Sequence, residues 1–279
     1  MSLASLDHLS SRDFSRLAQF IQDYAGIKMP PTKKTMVEGR LRRRAAANGF
    51  ATLTEYCRHL FDHDGMDAES IHLIDAVTTN KTEFFREPDH FRVLADVVVP
   101  ELLAKRRRRE FKVWSAASSI GAEPYTLAMV LADLQSNLGA FAFSVIATDI
   151  STRVLEIAVR GVFAEQMIAP VPMEMRKRYL LRSKDPAQAL VRIAPELRRH
   201  VQFGRLNLMD SSYPLDRDMD VVFCRNILIY FDKPTQQAVL ERLCDHLRPG
   251  GYLFLGHSES LAGLGLPLKP AGTTVFRRT

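Results

Sequence analysis

Apolar residues recur at helical spacing through the first 77 positions of the chain. The first run places apolar side chains at the i, i+3, i+4 and i+7 positions, namely Phe14, Leu17, Ala18 and Ile21. Gly26 ends this run, and a second helix is predicted at residues 33–47. Thr52 and Glu55 form a capping box before a third run, and a fourth run follows it. Residues 1–77 are therefore predicted to form a small all-helical domain.

From residue 87 onward, predicted helices alternate with short apolar strands. The strands are predicted at residues 111–114, 141–148, 201–203, 219–223 and 252–255. Pro88 begins a helix that is expected to bury, on one side, Phe91, Leu94, Val97 and Val98. Residues 267–278 are predicted to form a closing hairpin. Such alternation indicates a mostly parallel sheet with helices on both faces.

One segment interrupts this alternation. About forty residues separate a helix predicted at 151–160 from the strand at 201, which is far longer than an ordinary connection. Residues 179–182 and 189–193 read as strands on either side of Asp185-Pro186. An inserted antiparallel subdomain is therefore predicted within about residues 163–200. Recognition and a structural lid both suit such an insertion, so its role stays open.

Composition narrows the class of protein. Hydrophobic content of 46% and charged content of 25% are ordinary for a soluble globular protein, and no apolar run reaches the roughly 18 residues of a membrane span. The beginning of the chain lacks the pattern of a secretory signal. The three cysteines have no paired spacing, so buried free thiols are expected rather than a disulfide frame or a zinc site. We therefore expect a cytoplasmic protein without membrane insertion.

The net charge of +6 is unevenly placed. Residues 28–44 carry seven Lys and Arg side chains against one Glu, which is 7 − 1 = +6. Such a cluster attracts nucleic acid, acidic protein or a membrane surface. A second basic cluster, at residues 105–109, is expected to be a solvated helix end.

The most specific chemistry follows the first predicted strand. Residues 115–121 are mostly small with a single glycine, and Glu123 stands where the pyrophosphate of a dinucleotide would lie. Asp149 ends the second strand, where a carboxylate can bind ribose hydroxyls. Carboxylates repel pyrophosphate and attract a cation, so the pattern favours S-adenosylmethionine over NAD or ATP. Alternatively, Glu123 only complements a helix dipole and Asp149 only caps the next helix.

Six motifs follow one another along the chain: Thr78 to Arg86, Trp114 to Tyr125, Thr148 to Ile150, Asn207-Leu208, Cys224 to Phe231, and Leu247 to Leu261. Together they resemble the chemotaxis receptor glutamate O-methyltransferases, the CheR family, over essentially the whole chain. The resemblance implies an α/β fold: a Rossmann-like S-adenosylmethionine-dependent methyltransferase sheet in residues 91–279, the helical domain 1–77 and the inserted antiparallel β-subdomain. The linker, residues 78–90, is implied to contribute cofactor contacts.

The resemblance also implies a reaction and its residues. Glutamate side chains in the cytoplasmic domains of methyl-accepting chemoreceptors would be methylated, with S-adenosylhomocysteine as the second product. The family's cofactor contacts fall on Asn80, Thr82, Arg86, Glu123, Asp149, Asn207, Leu208, Arg225 and Asn226. Arg86 and Tyr230 match the positions nearest the reacting methyl and are the candidate catalytic residues. Ala122 replaces an acidic residue of many relatives, but Glu123 is kept.

Physical chemistry indicates what these residues can do. A glutamate carboxylate has an unperturbed pKa of about 4.3, so it is already the nucleophile at neutral pH and no general base or metal is expected. Arg86 can hold a carboxylate with a two-pronged hydrogen bond, whereas Tyr230 could donate to the substrate or only fill core. The basic second helix is predicted to bind the acidic receptor segment through Arg40, Arg43 and Arg44.

We expect a monomer that is recruited to membrane receptor arrays, with the β-subdomain as a candidate site for a receptor's C-terminal tail peptide. A nucleic-acid methyltransferase is the first alternative, but Cys224-Arg225-Asn226-Ile227 stands where amino-methylating enzymes have Asp/Asn-Pro-Pro-aromatic, so no nucleic-acid partner is expected. The second alternative is a non-catalytic cofactor-binding module.

Overall fold

The computed structural model describes residues 7–105, 110–139, 141–185 and 187–279. Its strands in chain order are β1 (Glu110–Ala116), β2 (Ala142–Asp149), β3 (Val162–Ala164), β4 (Leu180–Arg182), β5 (Leu190–Ile193), β6 (Val201–Arg205), β7 (Met219–Cys224), β8 (Leu247–Leu255), β9 (Leu268–Gly272) and β10 (Val275–Arg278). The basic cluster predicted as a helix end lies, beyond Lys105, outside the described residues, as does Pro186.

The helices frame these strands. In chain order they are α1 (Ser11–Ala25), α2 (Lys34–Ala47), α3 (Leu53–Asp62), α4 (Met66–Val77), α5 (Pro88–Val93), α6 (Val99–Ala104), α7 (Ala122–Leu138), α8 (Thr152–Arg160), α9 (Met173–Tyr179), α10 (Pro195–Arg198) and α11 (Lys233–His246). Short 3-10 turns occur at Pro31–Lys33, Glu165–Ile168 and Leu228–Tyr230. Among the described residues, none of these helices combines the length and hydropathy that a membrane span needs.

The main sheet has the strand order β6-β2-β1-β7-β8-β10-β9. Its strands are parallel from β6 to β8, and β10 joins β8 and β9 in antiparallel register. The chain runs outward from β1 to β2 and then returns to place β7 on the other side of β1. Such a reversal of strand order opens a crevice at the carboxyl ends of the strands. The predicted α/β fold with a helical N-terminal part and an antiparallel insertion is confirmed.

The four N-terminal helices bury one shared apolar core, whose members include Leu17, Ile21, Leu41, Tyr56 and Ile74. The predicted signals for their ends are confirmed. Gly26 terminates α1 at φ 71°, and Thr52 and Glu55 bond reciprocally in a capping box before α3.

These helices contact the main sheet at the carboxyl ends of its strands. The Asn207 side chain donates from Nδ2 to the Tyr24 carbonyl over 2.6 Å, and Arg205 donates to the Tyr24 hydroxyl over 2.8 Å. The Thr152 hydroxyl, at the start of α8, donates to the Asp75 carboxylate of α4 over 2.6 Å. The helical part therefore covers the edge where a parallel sheet binds ligands.

The helix predicted to begin at Pro88 contains an irregularity that its apolar pattern does not reveal. Residues Leu94–Val98 form a π-helical turn between α5 and α6. The wider turn shifts the buried side by one position, so Val98 and Val99 are both buried while Val97 is 51% exposed. The prediction that Val97 faces the core was wrong for this reason.

The insertion forms a second, antiparallel sheet in the order β3-β5-β4. The predicted strands at 179–182 and 189–193 are confirmed as β4 and β5. The structure adds β3, which is only three residues long and follows α8 directly.

Candidate functional site

A pocket of about 1070 Å3, part of it open to solvent, lies at the carboxyl ends of β1, β2 and β7. The main sheet provides one wall through the loops after these strands. The helical part provides another through Ile27, Met29, Lys33 and Met36.

The pocket gathers the predicted cofactor and catalytic residues. All ten of them line it: Asn80, Thr82, Arg86, Glu123, Asp149, Asn207, Leu208, Arg225, Asn226 and Tyr230. They come from segments that are up to 150 residues apart in sequence, since Tyr230 − Asn80 is 230 − 80 = 150. The parallel sheet brings them together because its strands all end at one edge.

The loop after β1 is shaped for a ligand. Ala117 and Ser119 have φ values of 60° and 51°, in the left-handed region that non-glycine residues rarely adopt. Between them, the Ser118 hydroxyl lines the pocket and is buried with no hydrogen-bond partner among the described residues. A buried hydroxyl without a partner is costly, so this group is available to a bound molecule.

Asp149, the last residue of β2, holds the same loop through hydrogen bonds. Its carboxylate accepts the Ser119 N–H over 2.8 Å and the Ser151 N–H over 2.9 Å. Burial raises the pKa of this carboxyl group. The helix α8 is capped by the Ser151 hydroxyl and not by Asp149, so the alternative that Asp149 is only a helix cap is wrong. Each carboxylate oxygen retains lone pairs that can accept a ligand hydroxyl.

Glu123 and Arg225 form a buried ion pair in the wall of the pocket. The Arg225 Nε atom donates to Glu123 Oε2 over 2.7 Å, and the Ser115 hydroxyl donates to Glu123 Oε1 over 2.7 Å. Arg225 Nη1 also donates to the Arg86 carbonyl over 2.8 Å. Glu123 thus does more than complement a helix dipole, because it fixes the guanidinium of Arg225.

Two further residues hold Arg225 from the other side. His90 Nδ1 lies 3.1 Å from Arg225 Nη1, and Glu87 Oε2 lies 3.5 Å from it. Burial, together with the Arg225 charge, lowers the pKa of His90 to about 4. His90 is therefore neutral at physiological pH and accepts a hydrogen bond at Nδ1, while Nε2 lies 2.9 Å from the Thr274 hydroxyl.

The linker between α4 and α5 contributes a third side of the pocket. Phe84 is fully buried and anchors this segment, while Arg86 Nη1 donates to the Lys81 carbonyl over 3.2 Å. The Asn80 carbonyl accepts the Ser119 hydroxyl over 3.0 Å, which ties the linker to the loop after β1. Asn207 is held at both ends of its amide, since its Oδ1 also accepts the Met209 N–H over 3.0 Å.

The loop after β7 carries the last two predicted site residues, Asn226 and Tyr230. Asn226 has a φ of 61°, and its Nδ2 donates to Glu87 Oε1 over 3.3 Å. Tyr230 ends the following 3-10 turn, and its ring lies 5.5 Å from Lys33 Nζ. This ammonium group comes from the helical part, so the rim near Tyr230 is positively charged.

The three arginines predicted to bind substrate lie on α2, outside the pocket lining. Arg40 Nη1 donates to the Val77 and Thr78 carbonyls at the end of α4, over 2.5 and 2.8 Å. Arg44 Nε donates to Glu69 over 2.7 Å. Arg43 is exposed. The structure therefore uses two of the three to join α2 to α4.

Glu87, His90 and His257 bring three possible metal ligands within 4.8 Å of one another. The Arg225 guanidinium already lies within 3.5 Å of Glu87 Oε2 and occupies His90 Nδ1. A metal ion would meet this positive charge, so the cluster is better suited to fixing Arg225 than to binding a cation.

Sequence reasoning missed several residues of the site. Glu87 and His90 sit beside motifs that were recognised, but nothing in their spacing shows that they contact Arg225. Met36 carries only the signal of a helical core, and Ile27 is one apolar residue after the end of α1. Backbone strain would have been informative: of the seven described non-glycine residues with positive φ, Ala117, Ser119 and Asn226 line the pocket, and Phe85 and Glu87 flank Arg86, which also lines it.

The pocket fits the expected cofactor, S-adenosylmethionine. Asp149 and the unpartnered Ser118 hydroxyl suit polar groups of adenosine and methionine, and apolar Ile27, Met36 and Leu208 suit an adenine ring. The Asp149 carboxylate disfavours a pyrophosphate beside it, whereas the charge of Glu123 is balanced by Arg225.

Comparison with known proteins agrees with this site. Residues 12–78 match the family model described as CheR methyltransferase, all-alpha domain, and residues 80–276 match CheR methyltransferase, SAM binding domain. The chain is 36% identical over 271 residues to chemotaxis protein methyltransferase 2 of Pseudomonas aeruginosa, covering 96% of this chain and 94% of that protein. It is 39% identical over 268 residues to the chemotaxis protein methyltransferase of Escherichia coli, covering 96% and 91%.

Proposed function

Because this chain belongs to the CheR methyltransferase family, we propose that it transfers a methyl group from S-adenosylmethionine to glutamate side chains in the cytoplasmic domains of chemoreceptors. The products are a glutamate methyl ester and S-adenosylhomocysteine. The observation that carries the proposal is the convergence of all ten predicted cofactor and catalytic residues on one pocket. The site assignments, and the division of the chain into residues 1–77, 78–90 and 91–279, are part of the same proposal.

S-adenosylmethionine, when bound, supplies an electrophilic methyl group on a positively charged sulfur. Asp149 would accept ribose hydroxyls, and the Ser118 hydroxyl and Asn207 would bind further polar groups. Arg225, fixed by Glu123, and Arg86 would hold carboxylate groups. The apolar residues from α2 and from the segment before it would exclude water.

The incoming glutamate needs orientation rather than deprotonation. Its carboxylate is ionised at neutral pH, and Arg86, Lys33 and Tyr230 form a rim that can attract and align it. Opposite charges on the two reactants are neutralised as the bond forms, which a drier pocket favours. Catalysis is then mainly a matter of holding oxygen, carbon and sulfur in line.

A transfer assay separates this function from its alternatives. The chain is incubated with S-adenosylmethionine labelled in its methyl group, together with either receptor cytoplasmic fragments or DNA. We expect label on the receptor that mild alkali releases as methanol, because carboxylate esters hydrolyse. Label on DNA would instead support the nucleic-acid enzyme, and bound but untransferred label would support the non-catalytic module.

Receptor binding through α2 is proposed for its exposed side, because Arg40 and Arg44 are engaged with α4. The substitution Arg43→Glu is expected to raise KM for the receptor fragment several-fold and to leave the affinity for S-adenosylhomocysteine unchanged. Arg12→Glu, which reverses an exposed arginine on α1, is the matched control. Equal loss of both affinities in the Arg43 variant would reduce α2 to a scaffold.

The small sheet is proposed to bind a receptor's C-terminal tail peptide. Its strand β4 is an edge strand, and Leu181 and Leu190 are 51% and 38% exposed. An extended peptide can add a strand to such an edge. Titration of a receptor tail peptide into wild type and Leu181→Asp tests this, since only the wild type should bind.

We propose a monomer that works in the cytoplasm and is recruited to membrane receptor arrays. Sedimentation equilibrium checks the first point, and the position of a fluorescent fusion in cells with and without receptors checks the second.

A further inference from the structure

The carboxylate of Glu259 lies behind the pocket and accepts hydrogen bonds from four backbone N–H groups. Its Oε1 accepts from Ile227 over 2.9 Å and Leu228 over 2.8 Å. Its Oε2 accepts from Asn226 over 3.0 Å and Gly256 over 2.6 Å. Glu259 is only 6% exposed and does not line the pocket. Three of these N–H groups belong to the loop after β7, and the fourth, that of Gly256, belongs to the segment that carries Glu259 itself.

The loop after β7 leads to α11 and presents three of the predicted site residues, Arg225, Asn226 and Tyr230. Consecutive backbone N–H groups that point to one side form an anion-binding concavity. Here Glu259 fills the concavity from within the protein. Burial raises the pKa of this group, and the four N–H groups oppose that shift because they stabilise the anion.

The loop needs such support. Asn226 has a φ of 61°, a conformation that costs free energy for a residue with a side chain. A Cβ added at Gly256 would come within 3.0 Å of the Asn226 backbone nitrogen, so the segment that carries Glu259 packs directly against this residue. Asn226 in turn contacts Glu87, which faces Arg225.

We propose that Glu259 is a positioning residue, which sets the conformation of the loop 225–230 and thereby the placement of Asn226 and Tyr230 in the pocket. It acts through these residues and touches neither reactant. The inference rests on the proposed function only in assigning Asn226 and Tyr230 to cofactor binding and methyl transfer.

The test replaces the carboxylate while keeping its size. In Glu259→Gln the amide oxygen still accepts two N–H groups, but the amide nitrogen faces the other two as a donor against donors. We expect the Kd for S-adenosylhomocysteine to rise at least tenfold and kcat to fall, with KM for the receptor fragment within twofold of wild type. Glu259→Asp, which keeps the charge, should lie between Glu259→Gln and wild type. Glu241→Gln, an exposed control on α11, should match wild type.

Hydrogen exchange on the wild-type protein tests the geometry without any variant. The amides of Asn226, Ile227, Leu228 and Gly256 should exchange slowly although they lie outside regular helix or strand ladders. Fast exchange of these amides would overturn the inference, as would an unchanged affinity and kcat in a folded Glu259→Gln variant. Wild type that protects these amides but binds no S-adenosylhomocysteine would contradict the proposed function and leave the role of Glu259 in the loop intact.

Discussion

At the scale of residues, the pocket depends on side chains that hold other side chains in position. Arg225 is the clearest case, since Glu123, Glu87 and His90 all contact its guanidinium. Sequence motifs identified Arg225 and Glu123 as site residues. They could not identify the other two contacts, because those depend on the left-handed backbone at Glu87 and on the packing of Phe91 in α5 against Phe223 in β7.

His90 provides a pH-dependent test of this network. Its pKa is lowered from 6.5 in the unfolded chain to about 4 in the folded protein, so folding opposes its protonation. Its contribution to the free energy of unfolding is therefore complete above pH 6.5 and is lost as the pH falls through about 4. The loss amounts to at most about 3 kcal/mol.

Urea unfolding of wild type and His90→Asn between pH 7 and pH 4 measures this difference. The asparagine keeps an acceptor near Arg225 but cannot ionise in this range, so wild type should lose more stability on acidification than the variant. Parallel curves for the two proteins would exclude the predicted titration.

Arg86 and Tyr230 are expected to act by placement and not by proton transfer. Arg86→Lys keeps the charge and loses the two-pronged geometry, so kcat should fall about 10- to 100-fold, and Tyr230→Phe should show a smaller fall. Both variants should keep the shape of the wild-type pH–rate profile. Arg92→Lys, at a 72% exposed side chain, is the control and should be unchanged.

Steady-state kinetics from pH 6 to pH 9 checks whether Arg86 and Tyr230 act by placement. A steep dependence near neutrality in wild type that disappears in Tyr230→Phe would show that a proton is transferred there, against the account.

At the scale of elements, the helix ends and strands that depend on neighbouring residues could be predicted from the sequence. The capping box before α3, Gly26 after α1 and the strands of the parallel sheet follow from the pattern of their own residues. The π turn at Leu94–Val98 could not be predicted, because an extra residue in a helix changes the burial pattern without a distinctive sequence. The strand β3 was missed because three residues carry too little alternation to identify.

Two glycines in the helical part are expected to change the stability of the protein in opposite directions when replaced by alanine. At Gly26, where φ is 71°, a Cβ would lie 2.7 Å from Met209 Sδ and 2.9 Å from Phe231 Cδ1, so Gly26→Ala should destabilise the protein by about 1–3 kcal/mol. At Gly39, inside α2, no atom of the described residues lies within 4 Å of the added Cβ, so Gly39→Ala should stabilise the protein by about 0.5–1 kcal/mol.

Urea unfolding at pH 7 compares both glycine variants with wild type. A stable Gly26→Ala variant would mean that α1 ends less tightly against Met209 and Phe231 than the structure indicates.

At the scale of the whole molecule, the helical part completes a site that the main sheet begins. The sequence indicated two structural units and a site at the sheet edge. It did not indicate that Ile27, Lys33 and Met36 form the opposite wall, because the contact of Asn207 with Tyr24 joins residues 183 positions apart. Long-range contacts of this kind leave no local pattern, which is why the site's residues were predictable and its enclosure was not.

Calorimetric titration of the intact chain tests most directly whether this pocket binds S-adenosylmethionine. We predict that one molecule of S-adenosylhomocysteine binds per chain and that ATP does not bind. In Asp149→Asn the affinity should be at least tenfold weaker, because the amide nitrogen would face one of the Ser119 and Ser151 N–H groups as a donor against a donor. Absence of heat with both S-adenosylmethionine and its demethylated product, alongside tight binding of ATP, would contradict the account.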